Sequence, residues 1–232
     1  MILLPGFFMA RPNRFVVEAV LMNGRRVRAH LADPGRLREL LIPGAPLRLR
    51  PTLPGRTRKT RYTVALVRSP DTSRVWVSVD TTLPNRLAED LFIQGRVHGI
   101  GRGWTLRREV RRGHSRFDFL LSGKDQELLV EVKSVTLVEN GIARFPDAPT
   151  ARGTRHVQAL EKIVQDGGQA MILFVVQRSD AHVVVSNART DPDFAASLIS
   201  AHRSGVMLRA ARFRLLPTGR ADYLGPLPVR TR

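Results

Sequence analysis

The sequence predicts two domains, an all-β domain over residues 1–80, with an OB fold as one candidate, and a mixed α/β domain over 81–232. Five short strand patterns separated by turn residues fill the first of these, which suggests a small barrel or sandwich. Near Asp80 the pattern changes to strands alternating with helix-period segments. A chain of 232 residues, 43% hydrophobic and 25% charged, can bury one or two cores and is not disordered in composition.

The elements follow in order. The run Met1–Ala10 lacks a basic leader and a full-length apolar stretch, so it is read as mature sequence that packs. Phe15–Leu21 is strand-like and enters Asn23-Gly24, a strong hairpin signal. Arg25–Leu31 returns with Arg26, Arg28 and His30 alternating against Val27, Ala29 and Leu31. Asp33-Pro34-Gly35 punctuates, and Arg36–Leu41 is expected to form one or two helical turns. Leu47–Arg50, Arg61–Arg68 and Arg74–Asp80 supply three more strands. Leu83–Ile93 reads as a helix with Pro84 in its first turn and Leu83, Leu87 and Leu91 on one stripe. Asn85 and Glu89 sit one turn apart on a different face. Strands follow at Thr105–Val110, Ser115–Leu121 and Glu127–Val135. A helix at Thr150–Gln165 takes Thr150 as N-cap and buries Val157, Leu160, Ile163 and Val164. Ala170–Gln177 and His182–Ser186 are apolar strands. Pro192–Arg203 is a last helix, and Val206–Leu215 a last strand.

Charge and composition bound the function. Lys plus Arg is 38 against 20 Asp plus Glu, a formal net charge of +18, and only four of the 38 are lysines. That excess points to a polyanionic partner, of which nucleic acid is the commonest. The absence of Cys excludes disulfides, Cys-based zinc sites and a cysteine nucleophile. No stretch reaches the roughly 18 apolar residues of a membrane helix, and the chain is read as cytoplasmic without a membrane partner. Aromatic residues are only 6%, so a long stacking platform for single strands is not evident. No recognition-helix or zinc-finger motif suggests base readout, so backbone contact to duplex is expected. Arg56, Arg58, Lys59 and Arg61 form one basic loop cluster, and Arg107, Arg108, Arg111 and Arg112 another. Arg152, at the start of the Thr150 helix, is a candidate phosphate clamp.

The chemistry concentrates in Ser115–Ser134. Two apolar strands flank a turn centred between Lys124 and Asp125, so a symmetric hairpin places Asp118 opposite Glu131. Lys133 shares a face with Glu131. Two carboxylates that close repel unless a cation joins them, and hard oxygen ligands favour Mg²⁺ or Mn²⁺. Asp118 and Glu131 are therefore the candidate metal ligands. Lys133 is the candidate to stabilise developing charge or orient water, the equipment of metal-assisted phosphodiester hydrolysis. Glu-x-Lys on a strand is also a common solvated ion pair. The continuous hydrophobe around these charges marks the strands as central rather than exposed.

Arg116-Phe117-Asp118-Phe119, Val130–Leu137, Phe145-Pro146-Asp147-Ala148 and Thr150–His156 together resemble the sugar fermentation stimulation protein A family. The likeness extends to Arg14-Phe15, Pro34-Gly35-Arg36-Leu37 and Asn85-Arg86-Leu87. It implies an N-terminal OB-like domain, a C-terminal restriction-endonuclease-like domain, and DNA binding without strong sequence preference. The family's name comes from a sugar-metabolism phenotype, which leaves a non-catalytic DNA-binding regulator as the alternative to a nuclease. Phe117 stands where the nuclease motif often has Pro, and Asp33-Pro34-Gly35 where many members have Asn-Thr-Gly. By the same resemblance Glu89 assists the metal. His156 is expected to contact phosphate or the attacking water, and Asp147 to cap a turn or bind metal. A basic OB-like domain does not distinguish DNA from RNA, so an RNA-binding module stays open.

Overall fold

The computed structural model describes residues 2–52, 60–71 and 73–231. The chain divides into two compact units. The first comprises Met1–Leu83, Arg178–Asp180 and Arg214–Asp222; the second comprises Pro84–Gln177, Ala181–Phe213 and Tyr223–Arg232.

The first unit holds β1 (Leu4–Asn13), β2 (Val16–Leu21), β3 (Arg26–His30), β4 (Pro46–Pro51), β5 (Tyr62–Arg68) and β6 (Trp76–Ser78). β1 pairs β2, β2 pairs β3, β1 pairs β4 and β4 pairs β5, all antiparallel. β3 joins β5 in parallel through Ala29–Tyr62 and His30–Thr63, and this closes the five-stranded barrel of an OB domain. Every second residue of β2 is buried, so Val17, Ala19 and Leu21 line the interior with Ala29, Leu31, Leu47, Leu49 and Val64. Arg36–Leu41, where one or two helical turns were expected, closes a single turn in which the Leu37 carbonyl accepts from the amides of Leu40 at 3.1 Å and Leu41 at 2.9 Å. Leu37 there takes a left-handed φ of 49°, and six residues before Pro43-Gly44 are too few to offset helix nucleation. Two stretches of the family resemblance meet at this point. The Arg11 guanidinium donates to the carbonyls of Gly35 and Arg36, both at 2.7 Å, and to that of Arg14 at 2.7 Å. Arg14 donates to the Pro34 carbonyl at 3.2 Å.

The second unit is α/β. Its elements are α1 (Leu83–Gln94), β7 (Thr105–Arg112), β8 (Ser115–Ser122), β9 (Glu127–Val135), β10 (Val138–Glu139), β11 (Ile142–Phe145), α2 (Ala151–Gln165), β12 (Gln169–Val176), β13 (Val183–Ser186), α3 (Pro192–Arg203), β14 (Met207–Leu215), β15 (Ala221–Leu227) and β16 (Val229–Arg230). β9, β12 and β14 run parallel, joined by crossovers that contain α2 and α3. β8 and β7 extend this sheet antiparallel on the β9 side, with β7 at its edge. β15 pairs with β14, and β10, β11, β13 and β16 form a second, smaller sheet. Thr150 caps α2 as expected, its hydroxyl accepting from Gly153 N at 3.1 Å. Asp191 caps α3 and accepts the Thr150 amide at 2.7 Å with its other oxygen, so one side chain fixes both helix starts. Val157 and Leu160 of α2 pack with Phe117, Ile172, Phe174, Phe194 and Leu198 in the unit's main core.

Candidate metal and phosphate site

The β8–β9 hairpin has the symmetric register expected of it, with Phe119 opposite Val130 and Ser122 opposite Glu127. The ladder stops at Phe119. One residue further, β8 bonds to β9 through a side chain: Asp118 Oδ2 accepts the amide of Val132 at 2.8 Å. The β7–β8 ladder also steps over Asp118. Arg108 pairs Phe119 and Val110 pairs Phe117, while Glu109 between them has a left-handed φ of 55°.

Around Asp118 the fold gathers Glu131 and Lys133 from β9, His156 from α2 and Asn85 from α1. Glu131 lies on a strand whose residues from Leu128 to Val132 are all buried, and is itself 5% exposed. Its Oε1 accepts from Lys133 Nζ at 2.8 Å and from His156 Nδ1 at 2.7 Å. The His156 ring stands edge-on to Phe117, which fixes its plane. Glu131 Oε2 is buried and has no hydrogen-bond partner. Asn85 Nδ2 donates to Asp118 Oδ1 at 2.8 Å.

The two carboxylates are pushed in opposite directions. Burial raises the pKa of Asp118, and the charge of Glu131 raises it further, against the bonds from Val132 and Asn85 and the charge of Lys133. Burial works the same way on Glu131, but the hydrogen bond from His156 and the Lys133 ammonium outweigh it and lower its pKa. That divergence is the signature of like charges held close without enough compensation. The donor set fits a hard divalent cation: an orphaned buried carboxylate oxygen stands beside a second carboxylate destabilised by its charge. Among the described residues no group of three or more His, Asp or Glu side chains is arranged as a metal cage. Two protein carboxylates are nevertheless the usual complement for Mg²⁺, which keeps several waters and takes the rest of its shell from substrate phosphate.

The structure sorts the other expected residues. Glu89 lies one turn along α1 from Asn85, and its carboxylate is bound by both Nε and Nη2 of Arg108. Arg112 is paired with Glu127 at 3.2 Å. Arg107, Arg111 and Arg152 are exposed and have no acidic partner among the described residues. Arg61 is exposed in the first unit, Asp147 is exposed in the second, and Arg58 and Lys59 lie outside the described residues. Asn85 is the residue that sequence reasoning left out of the site. Its signals were its place one turn before Glu89 on the predicted helix and in the Asn85-Arg86-Leu87 stretch of the resemblance.

Comparison with known proteins bears on both units. The family model for the "SfsA N-terminal OB domain" matches residues 9–79, and that for the "Sugar fermentation stimulation protein RE domain" matches residues 82–219. A sugar fermentation stimulation protein homolog of Moorella thermoacetica is 45% identical over 230 residues, covering 98% of this chain and 97% of the relative. One of Symbiobacterium thermophilum is 43% identical over 237 residues, covering 96% and 93%. Among solved structures, SfsA of Pyrococcus furiosus in complex with Ca²⁺ superposes with a TM-score of 0.88 at 32% identity, covering 98% of this chain and 96% of that one.

Proposed function

The chain belongs to the sugar fermentation stimulation protein family, and from that premise we propose that it binds DNA with little sequence preference and hydrolyses phosphodiesters at a divalent-cation site in its second unit. We read that unit as restriction-endonuclease-like: a helix precedes a hairpin carrying Asp118 and Glu131-Val132-Lys133, and parallel crossovers follow. The observation that carries the proposal is Glu131 Oε2, a buried carboxylate oxygen with no partner, beside an Asp118 carboxyl that Glu131 itself disfavours. The Ca²⁺ of the Pyrococcus furiosus relative supports the same reading, because Ca²⁺ and Mg²⁺ both seek oxygen ligands.

Asp118 and Glu131 would hold Mg²⁺ or Mn²⁺, which when bound polarises a phosphoryl oxygen and acidifies water. His156 and Lys133 hold Glu131 by Oε1 and leave Oε2 without a partner, so Oε2 would be the oxygen available to a cation. The Lys133 ammonium offers its remaining protons to the charge that builds on phosphate as water oxygen bonds to phosphorus and the bond to the leaving sugar oxygen breaks. Arg107, Arg111 and Arg152, not already committed to acids, take DNA phosphates. The net charge of +18 supplies the long-range attraction.

The test is cleavage of duplex, nicked, branched and single-stranded DNA with Mg²⁺ or Mn²⁺, run beside Asp118→Ala. Metal-dependent cleavage by the native protein that disappears in the variant supports hydrolysis. Binding without cleavage on every substrate leaves the DNA-binding regulator. Preference for RNA in competition at equal length favours the RNA-binding module.

A further inference from the structure

Helix α1 meets the carboxylate site through a neutral side chain. Asn85, in its first turn, donates to Asp118 Oδ1 at 2.8 Å, while Glu89, one turn on, is engaged at both oxygens by Arg108. The Val132 amide holds Asp118 Oδ2 at 2.8 Å, so each Asp118 oxygen has one fixed donor. The two donors sit on different elements and set both the position and the rotation of the carboxylate plane. The ladders on either side do not, since both lapse at this residue.

We infer that Asn85 is a positioning residue for a divalent cation: its amide holds Asp118 Oδ1 so that the remaining lone pairs of Asp118 and the free Oε2 of Glu131 aim at one ion. The inference rests on the cation-site reading and deepens it. A neutral donor suits the task. It orients the carboxylate without neutralising it, as an Arg or Lys would, and adds no third negative charge to the repelling pair. Such partners of a ligating carboxylate are worth roughly 10–100-fold in metal affinity.

The experiment is titration of the full chain with Mn²⁺ alone, followed by electron paramagnetic resonance of the free ion, for native protein, Asp118→Asn, Asn85→Ala and Glu89→Gln. Asn85→Ala is expected to weaken Mn²⁺ about 10-fold or more, and by more than Glu89→Gln, whose carboxylate Arg108 already engages. In DNA cleavage, the Mn²⁺ concentration for half-maximal rate should rise by the same factor in Asn85→Ala, with most of the rate recovered at saturating metal. If Asn85→Ala does not fold, Asn85→Gln, which keeps the amide but displaces it by one methylene, reads the same quantity. Native binding that Asp118→Asn abolishes and both Asn85 variants leave unchanged overturns the role of Asn85 alone. A native chain that binds no Mn²⁺ overturns the cation reading beneath it. Weakening in Glu89→Gln but not in Asn85→Ala would return the assisting role to the acid.

Discussion

Saturating Mn²⁺ should raise the melting temperature of the native protein and leave that of Asp118→Asn nearly where it was. At the site two carboxylates, Asp118 and Glu131, face the single ammonium of Lys133. A dication binds a surplus of negative charge there and meets an oxygen that lacks any other partner. With Asp118 neutralised, Glu131 and Lys133 cancel and the attraction is lost, although the side chain keeps its size. A ligand at 100 times its dissociation constant stabilises by about 2.7 kcal/mol. For a chain of this size that is a rise of roughly 5–11 °C. If the substitution weakens binding about 100-fold, the same Mn²⁺ concentration stabilises the variant by only about 0.4 kcal/mol, roughly 1–2 °C. The assay is a thermal melt followed by circular dichroism in EDTA and in graded Mn²⁺. Equal rises in both proteins would place the ion elsewhere. No rise in the native protein with Mn²⁺, Mg²⁺ or Ca²⁺ at millimolar concentration would remove the argument from the orphaned oxygen.

Three further outcomes are expected. Arg107→Ala and Arg111→Ala should each reduce the salt dependence of duplex binding by about one unit of log–log slope, and Arg112→Ala by less, because Arg112 is bound to Glu127; anisotropy between 50 and 200 mM salt, with equal losses in all three, would contradict the sorting. Lys133→Ala should slow plasmid cleavage about 100-fold or more at saturating DNA while duplex affinity stays near native, and a rate within a few-fold of native would remove it from the chemistry. Arg178, 3% exposed in the first unit, pairs with Asp71 at 2.7 Å and Asp180 at 2.6 Å. Because those side chains are 42% and 23% exposed, Arg178→Met should cost about 1–3 kcal/mol in urea melts, less than breaking a fully buried pair. Burial works against ionisation of both acids, but the Ser73 and Ser69 hydroxyls and Arg178 lower Asp71, and Arg178 lowers Asp180. That stabilisation is complete above the ordinary carboxylate range and is lost as pH falls through the depressed values. The difference between native and variant should therefore narrow below about pH 4, and a constant gap from pH 7 to pH 3 would refute the ionic origin.

Much of the fold was legible because local rules and tertiary context agree. The Thr150 cap, the alternation in Arg25–Leu31 and the symmetric hairpin each follow from residue types at fixed offsets, and each is present. What escaped lacked such a signal. β1 contains Pro5, Gly6 and Pro12, which break a strand pattern; its partners on both sides, β2 and β4, hold it in the barrel. β10 and β16 are two residues long, and β15 carries Gly225 and Pro226 with no alternation of burial. At Arg36–Leu41 the expected helical turns shrink to one, closed on the Leu37 carbonyl, in a segment that Arg11 holds by the Arg36 carbonyl from 25 residues away.

At the site, Asp118, Glu131 and Lys133 could be read because a strand has period two and a hairpin has a centre. Their partners came through the resemblance, as His156 did, or were missed, as Asn85 was, because a contact made across 33 residues leaves no local trace. The same limit applied to the arginines. Four of them at Arg107–Arg112 looked equivalent, yet Arg108 and Arg112 are bound to acids 19 and 15 residues away, while Arg107 and Arg111 have no acidic partner among the described residues. The symmetric register holds as far as the ladder runs, to Phe119, and the main-chain pairing ends at the residue that matters. A regular ladder would engage Asp118 through its main chain and leave its carboxylate to solvent and the charge of Glu131. In the folded protein the main-chain pairing lapses, Glu109 across the hairpin takes a left-handed φ at a cost of order 1–3 kcal/mol, and the carboxylate instead receives the Val132 amide and Asn85. A bare hairpin has no use for such strain. It has one if the carboxylate must be held, unneutralised and close to Glu131, for a cation that repays the repulsion when it binds.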